Sequence, residues 1–148
     1  MVTEMMSKTT IARPAEEVFG FFLALEEKAP ETHPGVKSVA KSPAGAADAG
    51  TTVQFRQKTL GWTRQTTMRF IAVEANCRIE FEESGPLTKL RATITFDRTD
   101  GETTVVFRGQ TFPVGRLKSI SPLLTLQVQR SWEQRLARIK TALEASAP

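Results

Sequence analysis

The last third of the chain carries the longest helical pattern of hydrophobic residues. Between Gly115 and Glu144, large apolar side chains follow one another every three or four residues, which places them on one stripe of an α-helix. The stripe consists of Leu117, Ile120, Leu124, Val128, Trp132, Leu136, Ile139 and Leu143. Ser121-Pro122 matches an N-cap residue and a first-turn proline, so we expect the helix to begin or to bend there. So long a stripe needs an equally long apolar surface to pack on.

The middle of the chain replaces this helical period with a period of two, which predicts β-strands. Between Thr51 and Arg108 apolar and polar residues alternate in five runs. The runs are separated by turn signals such as Leu60-Gly61, Ser84-Gly85-Pro86 and Asp100-Gly101. This alternation is typical of an antiparallel sheet with one packed face and one solvated face. The predicted packed face carries Val53, Phe55, Met68, Phe70, Ile79, Phe81, Leu90, Ala92, Ile94, Phe96, Val105 and Phe107.

The first third of the chain completes the predicted architecture. Val2 to Ile11 is expected to form a strand, and Pro14 with acidic residues after it opens a short helix. The buried face of that helix is expected to carry Val18, Phe19, Phe22 and Leu25. A second short helix ending by Pro30 or Pro34 is compatible with the pattern, and Val36 to Lys41 is the next strand. The fold class is therefore α+β, with seven strands, one or two short helices and a long C-terminal helix.

Composition narrows the classes of function. The length of 148 residues suits a single domain covering 1–148. A net charge of +4 without clustered Lys or Arg argues against a nucleic-acid partner. No run approaches the roughly 20 apolar residues that span a bilayer, so we expect no integral membrane association. Cys77 has no second cysteine to pair with, and the N-terminal residues lack an apolar core typical of a signal peptide. We therefore expect a cytoplasmic protein.

Five segments carry a resemblance to a known family. They are Ile11 to Phe19, His33 to Val36, Ala49 to Thr51, Ser121 to Leu124 and Arg138 to Glu144. With them the chain resembles the START/Bet v 1-like (SRPBCC) superfamily, in its bacterial polyketide cyclase/dehydrase-like branch. The resemblance implies a helix-grip fold, in which a curved seven-stranded antiparallel sheet wraps around the C-terminal helix. It also implies a hydrophobic cavity between the two, as in the superfamily's lipid carriers, plant ligand-binding proteins and aromatase/cyclases.

The apolar residues that face this space are the candidate ligand-binding residues. They are Phe55, Trp62, Met68, Phe70, Phe81, Ile94, Phe96, Phe107, Leu124, Val128 and Trp132. Two interpretations stay open at this point: the side chains form a packed core, or they line a cavity, which the resemblance favours. Trp132 lies in the middle of the helical stripe, so we expect it to be the main anchor of the helix and part of a cavity wall.

Three polar residues are candidates for chemistry. Arg64 and Glu83 share the inward parity and could pair with each other, orient a ligand carboxylate or phenolate, or lie at a wet rim, which is the preferred interpretation. As an active site they would supply an oxyanion-stabilising cation and an acid/base carboxylate. His33, the only histidine, is expected on an exposed loop. With no companion ligands it predicts no metal site, and no motif predicts a cofactor.

The outward face of the sheet is expected to be basic, with carboxylates between the arginines and lysines that pair with them across strands. Ile71 and Val73 interrupt this polar face. They mark an exposed apolar patch, a bulge that reverses the strand parity, or a contact between subunits.

Three functions are compatible with these residues. The leading hypothesis is the binding of a small hydrophobic molecule, such as a lipid, a polyketide-like compound or another aromatic metabolite, in a cavity under the C-terminal helix. The first alternative is a cyclase/dehydratase-type enzyme that acts on a polyketide-like substrate in the same cavity. The second is a non-catalytic interaction protein. In each case we expect a monomer or a homodimer.

Overall fold

The computed structural model describes residues 3–24, 36–42, 48–59, 62–85, 88–113 and 121–145. These residues form seven strands and two helices. In chain order they are β1 (Thr3–Ile11), α1 (Ala15–Leu23), β2 (Val36–Ser42), β3 (Thr52–Thr59), β4 (Trp62–Glu74), β5 (Arg78–Ser84), β6 (Thr88–Thr99), β7 (Glu102–Pro113) and α2 (Ser121–Ala145). An antiparallel sheet with a long C-terminal helix is the fold class that the sequence predicts.

The strands form one sheet in the order β1-β7-β6-β5-β4-β3-β2. Strands that follow one another from β2 to β7 are neighbours, and β1 pairs with β7 in the same antiparallel sense. The turn between β6 and β7 is the predicted hairpin, in which Asp100 and Gly101 both have positive φ. Two residues of positive φ match the right-handed twist of the strands that they join.

The strand parity places the large apolar side chains on one face, as predicted. The buried core of the sheet contains all twelve residues of the predicted packed face. A single row across the sheet shows the regularity: Ser7, Phe107, Ile94 and Ile79 lie opposite one another on β1, β7, β6 and β5. The opposite face carries ion pairs such as Arg69–Glu82 and Arg91–Glu80, which are the expected contacts between strands.

A β-bulge in β4 accounts for the two apolar residues on the polar face. Phe70 lies opposite Phe81, but Ala72 lies opposite Glu80, so Ile71 is the extra residue. The bulge turns Val73 to the inward face, where it lies opposite Ile79 and packs against the core. Of the three interpretations, a bulge that reverses parity is therefore correct. An exposed patch made by Ile71 and Val73 together is wrong.

Helix α1 closes one end of the sheet. Pro14 precedes its first residue, and the carboxylates of Glu16 and Glu17 lie in its first turn, where the helix dipole favours negative charge. The rings of Phe19 and Phe22 contact Phe96 edge-on, at centroid distances of 5.3 and 5.4 Å. Leu25, the predicted second helix and the loop that contains His33 lie outside the described residues.

Helix α2 lies alongside β1. Its last turn is joined to the end of that strand, since the Glu144 carboxylate accepts a hydrogen bond from the Ala12 N–H at 2.9 Å and the Lys140 Nζ donates to the Thr10 carbonyl. The helix begins at Ser121, where the sequence signal stands, and residues 115–120 lie outside the described part. None of the helices that the structure describes is long and apolar enough to cross a bilayer.

Candidate functional site

Trp132 anchors the middle of α2 to the sheet. Its side chain is 2% exposed and its indole stacks on the Phe107 ring, with centroids 4.4 Å apart and planes 17° from parallel. The ring of Phe81 also contacts the indole, with centroids 5.4 Å apart and planes tilted by 34°. The predicted role of Trp132 as a buried contact of the helix is therefore confirmed. At this position the helix and the sheet touch directly.

Two small residues lie in the sheet next to the rings that contact the indole. Ala92 on β6 and Gly109 on β7 lie directly opposite each other, with Phe81 opposite Ala92 on the next strand. A Cβ atom on Gly109 would lie 3.0 Å from Leu90 Cδ1 and 3.1 Å from the Phe107 ring, closer than carbon atoms normally approach. The absence of a side chain at Gly109 is thus a packing requirement of the site.

Arg135 brings a charge into this apolar interior. It lies three residues after Trp132 on α2, and its guanidinium carbon is 4.0 Å from the centroid of the indole, a cation–π contact. Nη1 donates a hydrogen bond to Oε1 of Glu83 at 3.4 Å. Arg135 is 4% exposed as a residue and the Glu83 side chain is 14% exposed. The two residues form a largely buried ion pair between α2 and β5.

The hydrogen bonding of Arg135 is incomplete. Nε is buried without a partner, and Nη1 is the only guanidinium nitrogen that donates a hydrogen bond within the described residues. Burial lowers the pKa of Arg135, because the charged form loses its hydration, while Glu83 opposes this shift through its charge and its hydrogen bond. One carboxylate at 3.4 Å therefore compensates the buried cation only in part.

The position of Glu83 corrects one prediction. A wet rim was the preferred interpretation for Glu83, but the side chain faces inward near the end of β5, between Met68 of β4 and Leu90 of β6. A carboxylate tolerates this burial because an arginine from the helix meets it there. The Arg64 side chain lies outside the described residues, so its pairing with Glu83 stays a prediction.

Arg135 is not among the residues that the sequence predicts for the site. The available signal is its spacing, since residue 135 follows Trp132 by three and precedes Leu136 by one, which places it on the border of the apolar stripe. A charged residue on that border normally extends into solvent. The partner that draws Arg135 inward is 52 residues away along the chain.

The predicted ligand-binding residues divide into three groups. Eight are buried in the core: Phe55, Met68, Phe70, Phe81, Ile94, Phe96, Phe107 and Trp132. Val128 is half-buried and packs against that core. The side chains of Trp62 and Leu124 lie outside the described part of the structure, so their contribution to ligand binding stays a prediction. The catalytic candidate His33 also lies outside it.

A groove lies at the edge of the sheet. A groove of about 530 Å³ runs between β1 and α2 and is lined by residues 6–9 together with side chains such as Glu133, Leu136 and Lys140. Its lining is about equally polar and apolar, which differs from the aromatic contacts around Trp132. Ser7 Oγ is buried at its side without a hydrogen-bond partner among the described residues.

Metal ligands do not cluster in the part of the chain that the structure describes. No three His, Cys, Asp or Glu side chains there lie close enough together to hold an ion.

Cys77 is exposed in the turn between β4 and β5, where Asn76 has a positive φ of 59°.

The sequence matches a protein-family model over residues 3–144. The family is described as polyketide cyclase/dehydrase and lipid transport. The chain belongs to this family. The match covers almost the whole chain, and it confirms the resemblance that the sequence segments indicate. A search of curated protein sequences gives no match.

Several solved structures share the fold of this chain at low sequence identity. The Zhui aromatase/cyclase from Streptomyces sp. R1128 superimposes with a TM-score of 0.83 at 14% identity, covering 97% of this chain and 94% of that one. Ara h 8.0201 superimposes with a TM-score of 0.80 at 15% identity, covering 99% and 100%. TTHA0849 from Thermus thermophilus gives 0.78 at 18% identity, covering 98% and 100%. At such identities the likeness shows the fold alone.

Proposed function

We propose that this protein binds a small hydrophobic molecule, such as a lipid, a polyketide-like compound or another aromatic metabolite, between its sheet and α2. The observation that carries the proposal is the buried Arg135–Glu83 pair beside the aromatic surface of Trp132, Phe81 and Phe107. Ligand sites are mostly apolar and contain a few placed polar groups that orient the ligand. The family description, which names lipid transport, supports the same class of function.

The energetics of the pair argue for a function other than packing. Hydrophobic residues of similar volume in place of a buried ion pair often leave a protein equally stable or more stable. A buried donor without an acceptor, such as Nε of Arg135, costs about 1–3 kcal/mol. A core that only had to pack would therefore have no need of these two charged residues.

The contacts also indicate where the molecule would lie. Trp132 and Phe107 are already stacked at 4.4 Å, so nothing fits between those two rings. The space for a ligand is expected beside the indole, towards the end of β5, where Glu83 is flanked by Met68 and Leu90 on the neighbouring strands. There an apolar molecule would contact the aromatic surface and reach Arg135.

The test is binding of N-phenyl-1-naphthylamine, a neutral dye whose fluorescence rises in apolar sites, to the folded protein. We expect saturable binding and an increase in the unfolding temperature, with lipids, aromatic polyketide-like compounds or sterols displacing the dye. In a Trp62→Phe background, which leaves Trp132 as the reporter, a bound hydrophobe should quench or shift the indole emission. If neither the dye nor any of these compounds binds, the proposal is wrong.

A second candidate is a cyclase/dehydratase-type enzyme, which the contact between Glu83 and Arg135 favours. Glu83 would remove or return a proton, and Arg135 would stabilise an enolate oxygen. The test is the dehydration of an aromatic β-hydroxy ketone to its enone, followed by absorbance. We expect wild-type protein to accelerate it and Glu83→Gln to lose the acceleration while still binding the ketone. Binding without acceleration by the wild-type protein would reject the enzyme and leave the binding function.

A further inference from the structure

The guanidinium group of Arg135 presents one free edge. Its five N–H bonds lie in one plane, and a carboxylate can pair with the Nε/Nη2 edge or with the Nη1/Nη2 end. Glu83 takes only Nη1, and the guanidinium carbon lies over the Trp132 indole at 4.0 Å from its centroid. Among the described residues nothing accepts a hydrogen bond from Nε or Nη2. The Nε/Nη2 edge therefore has unused hydrogen-bonding capacity, and an acceptor reaches the buried Nε only by opening the packing around it.

The charge balance favours an acidic acceptor at this edge. The ion pair with Glu83 is long, since charge-assisted N–H···O contacts usually measure about 2.7–2.9 Å and this one measures 3.4 Å. Arg135 is 4% exposed, and the other contact of its guanidinium is the face of the Trp132 indole. In such surroundings a second anionic oxygen restores the stabilisation that water supplied to the free side chain.

The following inference about the chemical class of the ligand rests on the proposed function. We propose that the bound hydrophobic molecule carries an acidic oxygen group, such as a carboxylate, an enolate or a phenolate, which accepts hydrogen bonds from Nε and Nη2 of Arg135. The apolar body of the molecule lies against the surface formed by Trp132 and its aromatic neighbours. The site therefore selects amphipathic acids over neutral hydrophobes of the same shape.

The experiment measures displacement of the neutral dye N-phenyl-1-naphthylamine by two competitors. These are 2-naphthoate and 2-acetylnaphthalene, which have nearly the same shape and differ in the negative charge. Charge-assisted hydrogen bonds to a buried group should make naphthoate about 10- to 100-fold tighter. If the two competitors displace the dye equally well, the acidic ligand class is wrong and the proposed function stands. If neither the dye nor any of the lipids, aromatic polyketide-like compounds and sterols binds, the proposed function fails and the inference fails with it.

Three variants test whether the preference for naphthoate over 2-acetylnaphthalene depends on Arg135. Arg135→Met/Glu83→Gln removes both charges together, so no buried charge is left unpaired, and it should abolish the preference for naphthoate. Glu83→Gln alone removes the competing carboxylate, so the preference should increase and naphthoate should raise the unfolding temperature more than in the wild type. Arg138→Met, a matched control, removes an exposed arginine from the same helix and should leave the preference unchanged.

The opposite results would overturn the inference. A preference that survives in Arg135→Met/Glu83→Gln would place the anion elsewhere on the protein. The same conclusion follows if Glu83→Gln weakens naphthoate and 2-acetylnaphthalene alike, because the change would then act on packing. A preference that is lost in Arg138→Met would indicate a long-range charge effect.

Discussion

The guanidinium carbon of Arg135 lies 4.0 Å from the centroid of the Trp132 indole, one helical turn earlier on α2. The same indole stacks on Phe107 of β7, so one side chain both anchors the helix and supports the buried cation. A desolvated cation–π contact contributes about 2 kcal/mol or more. Changes at Trp132 should therefore affect stability and the ligand site together.

Truncation of Trp132 should be the most damaging single change on α2. Loss of a large buried aromatic side chain typically costs about 3–5 kcal/mol, against a total stability of roughly 5–15 kcal/mol. We expect Trp132→Ala to lower the urea midpoint severely, and more than Trp62→Ala does. Leu126→Ala on the exposed side of the same helix is the control and should cost little. Near-native stability of Trp132→Ala would contradict the role of the indole as the anchor.

The Arg135–Glu83 pair should show strong coupling in a double-mutant cycle. Removal of one partner from a buried ion pair leaves an uncompensated charge, and the cost is about 3–5 kcal/mol. Arg135→Met alone should therefore be more destabilising than Arg135→Met/Glu83→Gln, in which no charge is stranded. Free energies of unfolding from urea titrations test this. Simple additivity of the two single changes would mean that the residues do not interact in solution.

Gly109→Ala should destabilise the protein because the new Cβ has no room. Its nearest atoms would be Leu90 Cδ1 at 3.0 Å and the Phe107 ring at 3.1 Å, and that ring is held by Trp132. Overpacking of this kind costs about 1–3 kcal/mol. Adding Leu90→Val should recover part of the loss. Gly20→Ala, in α1 with nothing within 4 Å, is the control and should stabilise by about 0.5–1 kcal/mol. Equal effects at the two glycines would contradict the packing argument.

Glu144 should make part of the stability dependent on pH. Hydrogen bonds from Lys140 and from the Ala12 N–H lower the pKa of its carboxyl group below its ordinary value. The pKa of Glu144 is lower in the folded than in the unfolded protein, so its ionised carboxylate stabilises the folded state. This stabilisation is complete above the unfolded-state pKa of roughly 4.3, and it is lost as the pH falls through the folded-state pKa. The stability difference between wild type and Glu144→Gln should be constant near neutral pH and shrink below about pH 4.3. A difference that does not change with pH would contradict the carboxylate's role.

Local patterning decided most of the secondary structure. Apolar residues repeat with a period of two from Thr51 to Arg108 and with a period near 3.6 before Glu144. These periods reflect only which side chains are buried on the same face of a strand or helix. The helix start at Ser121 and the hairpin at Asp100-Gly101 follow from the backbone preferences of proline, aspartate and glycine. These are near-neighbour effects, so they can be interpreted from the chain alone. The inward parity of β5 to β7 follows for the same reason.

The candidate site was decided by contacts between distant segments. The interrupted alternation at Ile71 and Val73 allowed a bulge as one of three interpretations, and the register with β5 decided for it. Glu83 and Arg135 are separated by 52 residues, and each alone resembles a surface charge. The sequence determined the sheet, the long helix and the buried indole between them. Only the tertiary structure decided that a carboxylate and a guanidinium meet beside that indole, because burial of either charge becomes tolerable only once the other is present.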